Sequence, residues 1–242
     1  MTALTIGFAL GMRHGTDPDH LTAIDGLSRI RPRATNGLYF ALGHGLVVTL
    51  LAVGIGRVAS DHLAFLGPWM LIGIGLINLS KLFRNPTPSL KQSAPGPIVA
   101  QPFLLGVLLA AGFETASQFS ALVLAGETNP WVLGALFTGG MITVDGFDGY
   151  LAASTQNLAA AGRTNARKAS QVLGILVILF SFGLGGAELL GVELDHFALP
   201  MGLALFAIVI TIRFWARSAV GSMFARRARF VEPANQAGEI TT

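Results

Sequence analysis

Long apolar runs separated by brief polar stretches dominate this chain. Seven of them, at roughly 3–27, 36–57, 63–83, 98–125, 131–155, 171–191 and 197–216, are each close to the ~20 residues that cross the hydrocarbon core of a bilayer. The pattern predicts an all-α, polytopic membrane bundle of about seven transmembrane helices, with 1–216 forming one membrane domain. Residues 84–97 are Pro-rich and polar and read as an irregular cytoplasmic linker between the first three spans and the last four. Residues 217–242 read as a polar cytoplasmic tail.

Composition agrees. A mean hydropathy of +0.62, with 52% hydrophobic and only 12% charged residues, belongs to a multi-pass protein of the cell membrane. The 30 glycines suit helices whose backbones approach closely. The lack of cysteine excludes disulfides, thiolate ligands and a cysteine nucleophile, leaving imidazoles, carboxylates, amides and backbone as donors. A pI near 9.8 would suit a nucleic-acid partner, but the basic residues lie in short loops and in the tail, so topology accounts for them and no nucleic acid is expected. Fourteen of the 16 Lys and Arg follow the first, third, fifth or seventh run. That bias predicts an outside amino terminus and a cytoplasmic carboxyl terminus. Asp61, Glu127, Glu188, Glu193 and Asp195 on the opposite loops agree. No small-residue cleavage pattern follows the first run, which is therefore expected to be retained.

The chemistry lies inside these runs. Arg13-His14-Gly15-Thr16-Asp17-Pro18-Asp19-His20 interrupts the first. His14, Asp17 and His20 have metal-ligand spacing, and on a helix they would share one side. Pro18, however, removes a backbone donor and pushes Asp17 out of helical geometry. The expectation is a kinked or unwound segment facing a polar cavity. His44 lies in the second run between two glycines, Glu114 and Gln118 in the fourth, and Asp145 and Asp148 in the fifth. Asp17, Asp19, Asp25, Glu114, Asp145 and Asp148 all fall within spans, and Arg13 is the only cation expected deep among them. At ~2.5–3.5 kcal/mol per central charge, such a surplus must be relieved by a bound cation, by protonation or by a water-filled cavity. Pairing of Arg13 with Asp145 or Asp148 would relieve part of it. Asp25, near the cytoplasmic end, can face the headgroups. A midplane set of His14, His20, His44 and carboxylates suits a transported transition-metal ion. Asp145 and Asp148 are candidates for coupling protons or for orienting a histidine.

At these residues the chain resembles the nickel/cobalt transporter family of secondary permeases. The family's His-x4-Asp-His signature, preceded by Arg, is complete as Arg13-His14 through Asp19-His20. Gly43-His44-Gly45-Leu46-Val47-Val48 is similar to its second signature. Gly112-Phe113-Glu114-Thr115-Ala116-Ser117-Gln118 resembles the third, Gly-Phe-Asp-Thr-Ala-Thr-Glu, with Asp replaced by Glu and the last Glu by Gln. Gly140-Met141 followed by Asp145-Gly146-Phe147-Asp148 resembles the fourth, with Gly in place of Thr. Family members commonly have eight spans with the His-x4-Asp-His motif in the second, so the chain looks like a shortened form lacking the leading helix. The resemblance implies uptake of Ni²⁺ or Co²⁺ as substrate, with His14, Asp19 and His20 as the signature site. Asp17 and His44 join these as candidate ligands. Arg13, Glu114, Gln118, Asp145 and Asp148 are candidates for transport and coupling.

No Gly-x4-Gly-Lys-Ser/Thr is present, so ion gradients or membrane potential are the expected drive. No resident cofactor is called for, and the partners are a divalent transition-metal ion and the bilayer. An exporter with the same ligands, an intramembrane metal-dependent hydrolase with an open water position and a structural subunit are the alternatives. No His-Glu-x-x-His supports the hydrolase. The sequence leaves the oligomeric state open.

Overall fold

The computed structural model describes residues 3–54, 65–84, 101–112, 128–192 and 194–231. Among them are eight helices and no strand: α1 (Ala3–His14), α2 (Pro18–Ile30), α3 (Asn36–Ala52), α4 (Leu66–Arg84), α5 (Pro102–Gly112), α6 (Pro130–Ala160), α7 (Thr164–Leu189) and α8 (Asp195–Val231). The all-α class holds, and every predicted run carries helix. Among the described residues three helices are long and apolar enough to cross a bilayer: Leu66–Phe83 in α4, Thr164–Leu189 in α7 and His196–Ser218 in α8. Helix α8 continues past 216, where the last apolar run ends, to Val231. Residues 85–100, 113–127 with Glu114 and Gln118, and 232–242 lie outside the described residues.

The first run is two helices. α1 ends at His14 and α2 starts at Pro18. Between them Thr16 N–H bonds the Arg13 carbonyl at 3.0 Å and Asp17 N–H bonds the His14 carbonyl at 2.9 Å, turning the chain. Asp17 is the N-cap of α2 with extended backbone (φ −63°, ψ 145°), and Pro18 follows in the first turn. This is the conformation that a residue before proline prefers, and the expected break is where Pro18 puts it.

Helix α2 is the axis of the bundle. Pro18 through Ser28 are all buried, enclosed by α3, α4, α6, α7 and α8. Ala23, Ile24 and Leu27 pack with Phe40 of α3, Leu71 and Ile74 of α4, Leu105 and Leu109 of α5 and Val177 of α7. On the far side, Leu21 packs with Leu173 of α7 and with Leu205 and Val209 of α8. Helices α1 and α3 both lie along α6.

Glycine permits the close approach of α3 to α6. A Cβ at Gly37 would strike the Asp145 carbonyl and come within 3.1 Å of Gly146 N. Because backbone cannot yield as a flexible side chain does, Gly37→Val is expected to force the helices apart, at ~1–3 kcal/mol. The thermal midpoint of detergent-purified protein should fall. Gly146→Ala, whose Cβ meets nothing within 4 Å, should leave it unchanged.

Candidate metal centre

Three helices each bring one imidazole to a common point. His14 closes α1, His20 lies in the first turn of α2, and His44 is in the middle of α3 between Gly43 and Gly45. All three are completely buried. Their ring centroids are 4.5 Å apart for His14–His20, 4.8 Å for His14–His44 and 4.5 Å for His20–His44. One ligand atom from each lies within 4.8 Å of the others. Phe137 packs on His14 (centroids 5.5 Å apart) and Phe40 on His20 (4.9 Å). These rings wall the group with hydrocarbon, which strengthens any charge interaction inside it.

Two carboxylates fix the rings. His14 Nδ1 lies 2.8 Å from Asp17 Oδ2, and His20 Nδ1 lies 3.1 Å from Asp145 Oδ2 on α6. An ionised carboxylate only accepts, so each Nδ1 is assigned the donated hydrogen, and in the neutral imidazole Nε2 keeps its lone pair. Asp17 thus spends its side chain on His14 instead of capping α2, which has no side-chain cap bond. The Nε2 atoms of His14 and His44 are 2.8 Å apart. His20 Nε2 is buried and has no hydrogen-bond partner among the described residues. A nitrogen lone pair turned inward, with the other ring nitrogen held by a carboxylate, is the arrangement of a metal-binding histidine.

The remaining predicted residues separate. Asp17 and Asp19 stand outside the three-imidazole group. Asp19 is buried in the first turn of α2, where the helix dipole favours an acid, and its Oδ2 has no hydrogen-bond partner among the described residues. Arg13 is half-buried and makes no ion pair among the described residues, so its expected pairing with Asp145 or Asp148 is corrected. Asp145 instead faces His20. Asp148 is paired with Arg213 of α8, which bonds both its carboxylate and its carbonyl, the latter at 2.9 Å. Arg213 Nη2 also reaches Asp25 Oδ1 at 2.7 Å. Asp25, expected near the headgroups, is 2% exposed, and Arg213 is 0% exposed.

Arg213 was not legible as an interior residue. It stands at the basic end of an apolar run, where a flanking cation is expected. The available signal was the acid surplus, but it led to the expectation of a bound cation, protonation or a water-filled cavity, with Arg13 as the only deep cation, an expectation that the buried Arg213 corrects.

Farther along α2, Arg29 donates through Nε to Asn78 Oδ1 at 3.1 Å and through Nη1 to Ser170 Oγ at 3.1 Å. Lys81 Nζ caps the Arg29 and Ile30 carbonyls at 3.1 and 3.2 Å. A narrow cleft, with a cavity volume of only about 10 Å³, lies between α2, α7 and α8, and Thr22 and Asp25 are the polar residues in its wall.

The buried imidazole triangle lies among apolar helices that fit a multi-pass membrane protein. Residues 1–62, which contain all three histidines, match the model of the NicO family, described as high-affinity nickel-transport protein. The chain is 28% identical over 254 residues to the high-affinity nickel transport protein of Cupriavidus necator, covering 82% of this chain and 72% of that one. It is 25% identical over 263 residues to the nickel transporter NixA of Staphylococcus aureus, covering 86% and 77%. A shorter stretch of 61 residues is 39% identical to the cobalt transport protein NhlF of Rhodococcus rhodochrous, covering 23% and 17%. The chain is a relative of the nickel and cobalt transporters, as its motifs indicated. No solved structure matches it.

Proposed function

We propose that this chain is a secondary permease that takes Ni²⁺ or Co²⁺ inward across the cell membrane. The observation that carries the reading is the convergence of three fully buried imidazoles from α1, α2 and α3, with ligand atoms within 4.8 Å of one another. Imidazole nitrogen binds Ni²⁺ and Co²⁺ well and Mg²⁺ or Ca²⁺ poorly. In this reading His14, His20 and His44 hold the ion. Asp17 and Asp145 orient two of them, and Asp19 adds negative charge at the entrance to α2. The ion is a substrate and leaves unchanged, so no enzymatic step is involved.

Seven spans, with the amino terminus outside and the carboxyl terminus cytoplasmic, fit the charge bias of the loops. The meeting of Arg29 and Lys81 at one end of α2 supports placing that end at the cytoplasmic face. Alternating access would turn on the α1–α2 break, the non-helical backbone nearest the ligands. A negative-inside potential favours inward movement of a cation.

The test is accumulation of radioactive nickel by proteoliposomes carrying the purified chain under a negative-inside potential. Nickel should accumulate, excess cobalt should compete and excess magnesium should not. Failure of the purified chain to move nickel in either direction rejects the permease, and movement only outward selects the exporter.

A further inference from the structure

The Asp25–Arg213–Asp148 group is more than a staple between helices. A buried ion pair offsets its desolvation only when the remaining lone pairs and N–H groups are also satisfied. Here Asp25 Oδ2, Asp148 Oδ2 and Arg213 Nε are all buried without hydrogen-bond partners among the described residues. Two carboxylates also face one guanidinium, so the group has a formal surplus of one negative charge.

Its position follows from helix geometry. Asp25 lies five residues beyond His20 on α2, and Asp148 three beyond Asp145 on α6, or ~7.5 and ~4.5 Å along the axes. Because His20 meets Asp145 and Asp25 shares Arg213 with Asp148, the two helices run parallel. Both displacements lead away from the imidazoles toward Arg29 and Lys81. The cation comes from a third helix. Along α8 the buried positions Gly202, Leu205, Val209, Arg213 and Ala216 form one stripe. A Cβ at Gly202 would strike the Thr16 carbonyl and lie 3.3 Å from Asp17 Cα. One face of α8 therefore touches both the α1–α2 break and the carboxylate pair, ~16 Å apart along the helix.

We propose that Asp25 and Asp148 form a second station for the transported divalent ion, and that Arg213 is the tethered cation that holds this station between passages. An ion leaving the imidazoles takes the carboxylate oxygens and displaces the guanidinium. Oxygen donors hold Ni²⁺ and Co²⁺ less tightly than imidazoles do, which suits a station from which the ion must depart. Displacing Arg213 releases α8 from α2 and α6 and so loosens its hold on the break. This rests on the permease reading.

The experiment compares wild type, Arg213→Gln and the charge-neutral triple variant Asp25→Asn/Asp148→Asn/Arg213→Gln. Nickel binding is measured by equilibrium dialysis in detergent, and radioactive nickel uptake in proteoliposomes. With the tethered cation gone, Arg213→Gln should bind a second nickel ion per chain and take up nickel at least tenfold more slowly. The triple variant should bind one ion, within about threefold of the wild-type affinity, and lose uptake at least tenfold. If Arg213→Gln does not yield monodisperse protein, the triple variant decides alone. Uptake by the triple variant within threefold of wild type overturns the second station, as does Arg213→Gln binding one ion and transporting at the wild-type rate. Either result leaves the permease reading standing if wild type transports. A wild type that moves no nickel sinks that reading instead.

Discussion

His20→Ala is expected to lower the affinity for nickel on the order of 100-fold or more, about 2.8 kcal/mol at 1.4 kcal/mol per tenfold, and to abolish uptake at trace concentration. His20 supplies an Nε2 atom with no hydrogen-bond partner among the described residues, and its ring is 4.5 Å from those of both His14 and His44. Removing it leaves two imidazoles whose Nε2 atoms bond each other. The small side chain also leaves a gap beside Phe40, so folding is checked by elution and thermal midpoint. His196→Ala, at an exposed histidine on α8, is the control and should bind and transport as wild type does. Equilibrium dialysis of radioactive nickel reads both. Near-normal binding by His20→Ala would remove the imidazole triangle from the ion's path.

Asp145→Asn should cost less in affinity but still a great deal. The carboxylate holds His20 Nδ1 at 3.1 Å, which sets the tautomer that turns Nε2 toward the other rings. Losing such an orienting partner typically lowers metal affinity 10–100-fold, and that range is expected here with the ion count unchanged at one per chain. Asp17→Asn should behave similarly through His14. If Asp145→Asn binds nickel as wild type does and yet stops transport, Asp145 acts on movement of the ion and not on its ligand.

The imidazole site was readable because its residues stand out against their surroundings. A histidine in an apolar run has few structural uses, and Pro18 marks the break that lets His14 and His20 converge from separate helices. The glycines beside His44 signalled close packing, and Gly43 indeed faces the backbone of α5, where a Cβ would strike the Phe103 carbonyl. The partners of the acids were less readable. Asp145 and Asp148 shared one expectation, coupling protons or orienting a histidine, but they divide, one toward His20 and the other toward Arg213. Both are fully buried, and which neighbour each meets is set by where α2 and α8 dock, a tertiary matter that spacing on one helix does not carry. The buried stripe of α8 was hidden for a related reason. The run from 197 to 212 is apolar on every side, so no periodicity separates the face toward the bundle from the face toward lipid. Glu114 and Gln118, the most divergent of the motif positions, lie outside the described residues.

The contact between His14 and His44 sets a condition on any ion that arrives. With His14 Nδ1 donating to Asp17, its Nε2 accepts from His44 Nε2–H, so a single hydrogen sits where two lone pairs must point for coordination. A metal bound by both rings obliges that hydrogen to move to His44 Nδ1, a change of tautomer at constant ring charge. The dication therefore enters with both of its charges, which the carboxylates of Asp17 and Asp145 behind the rings must offset.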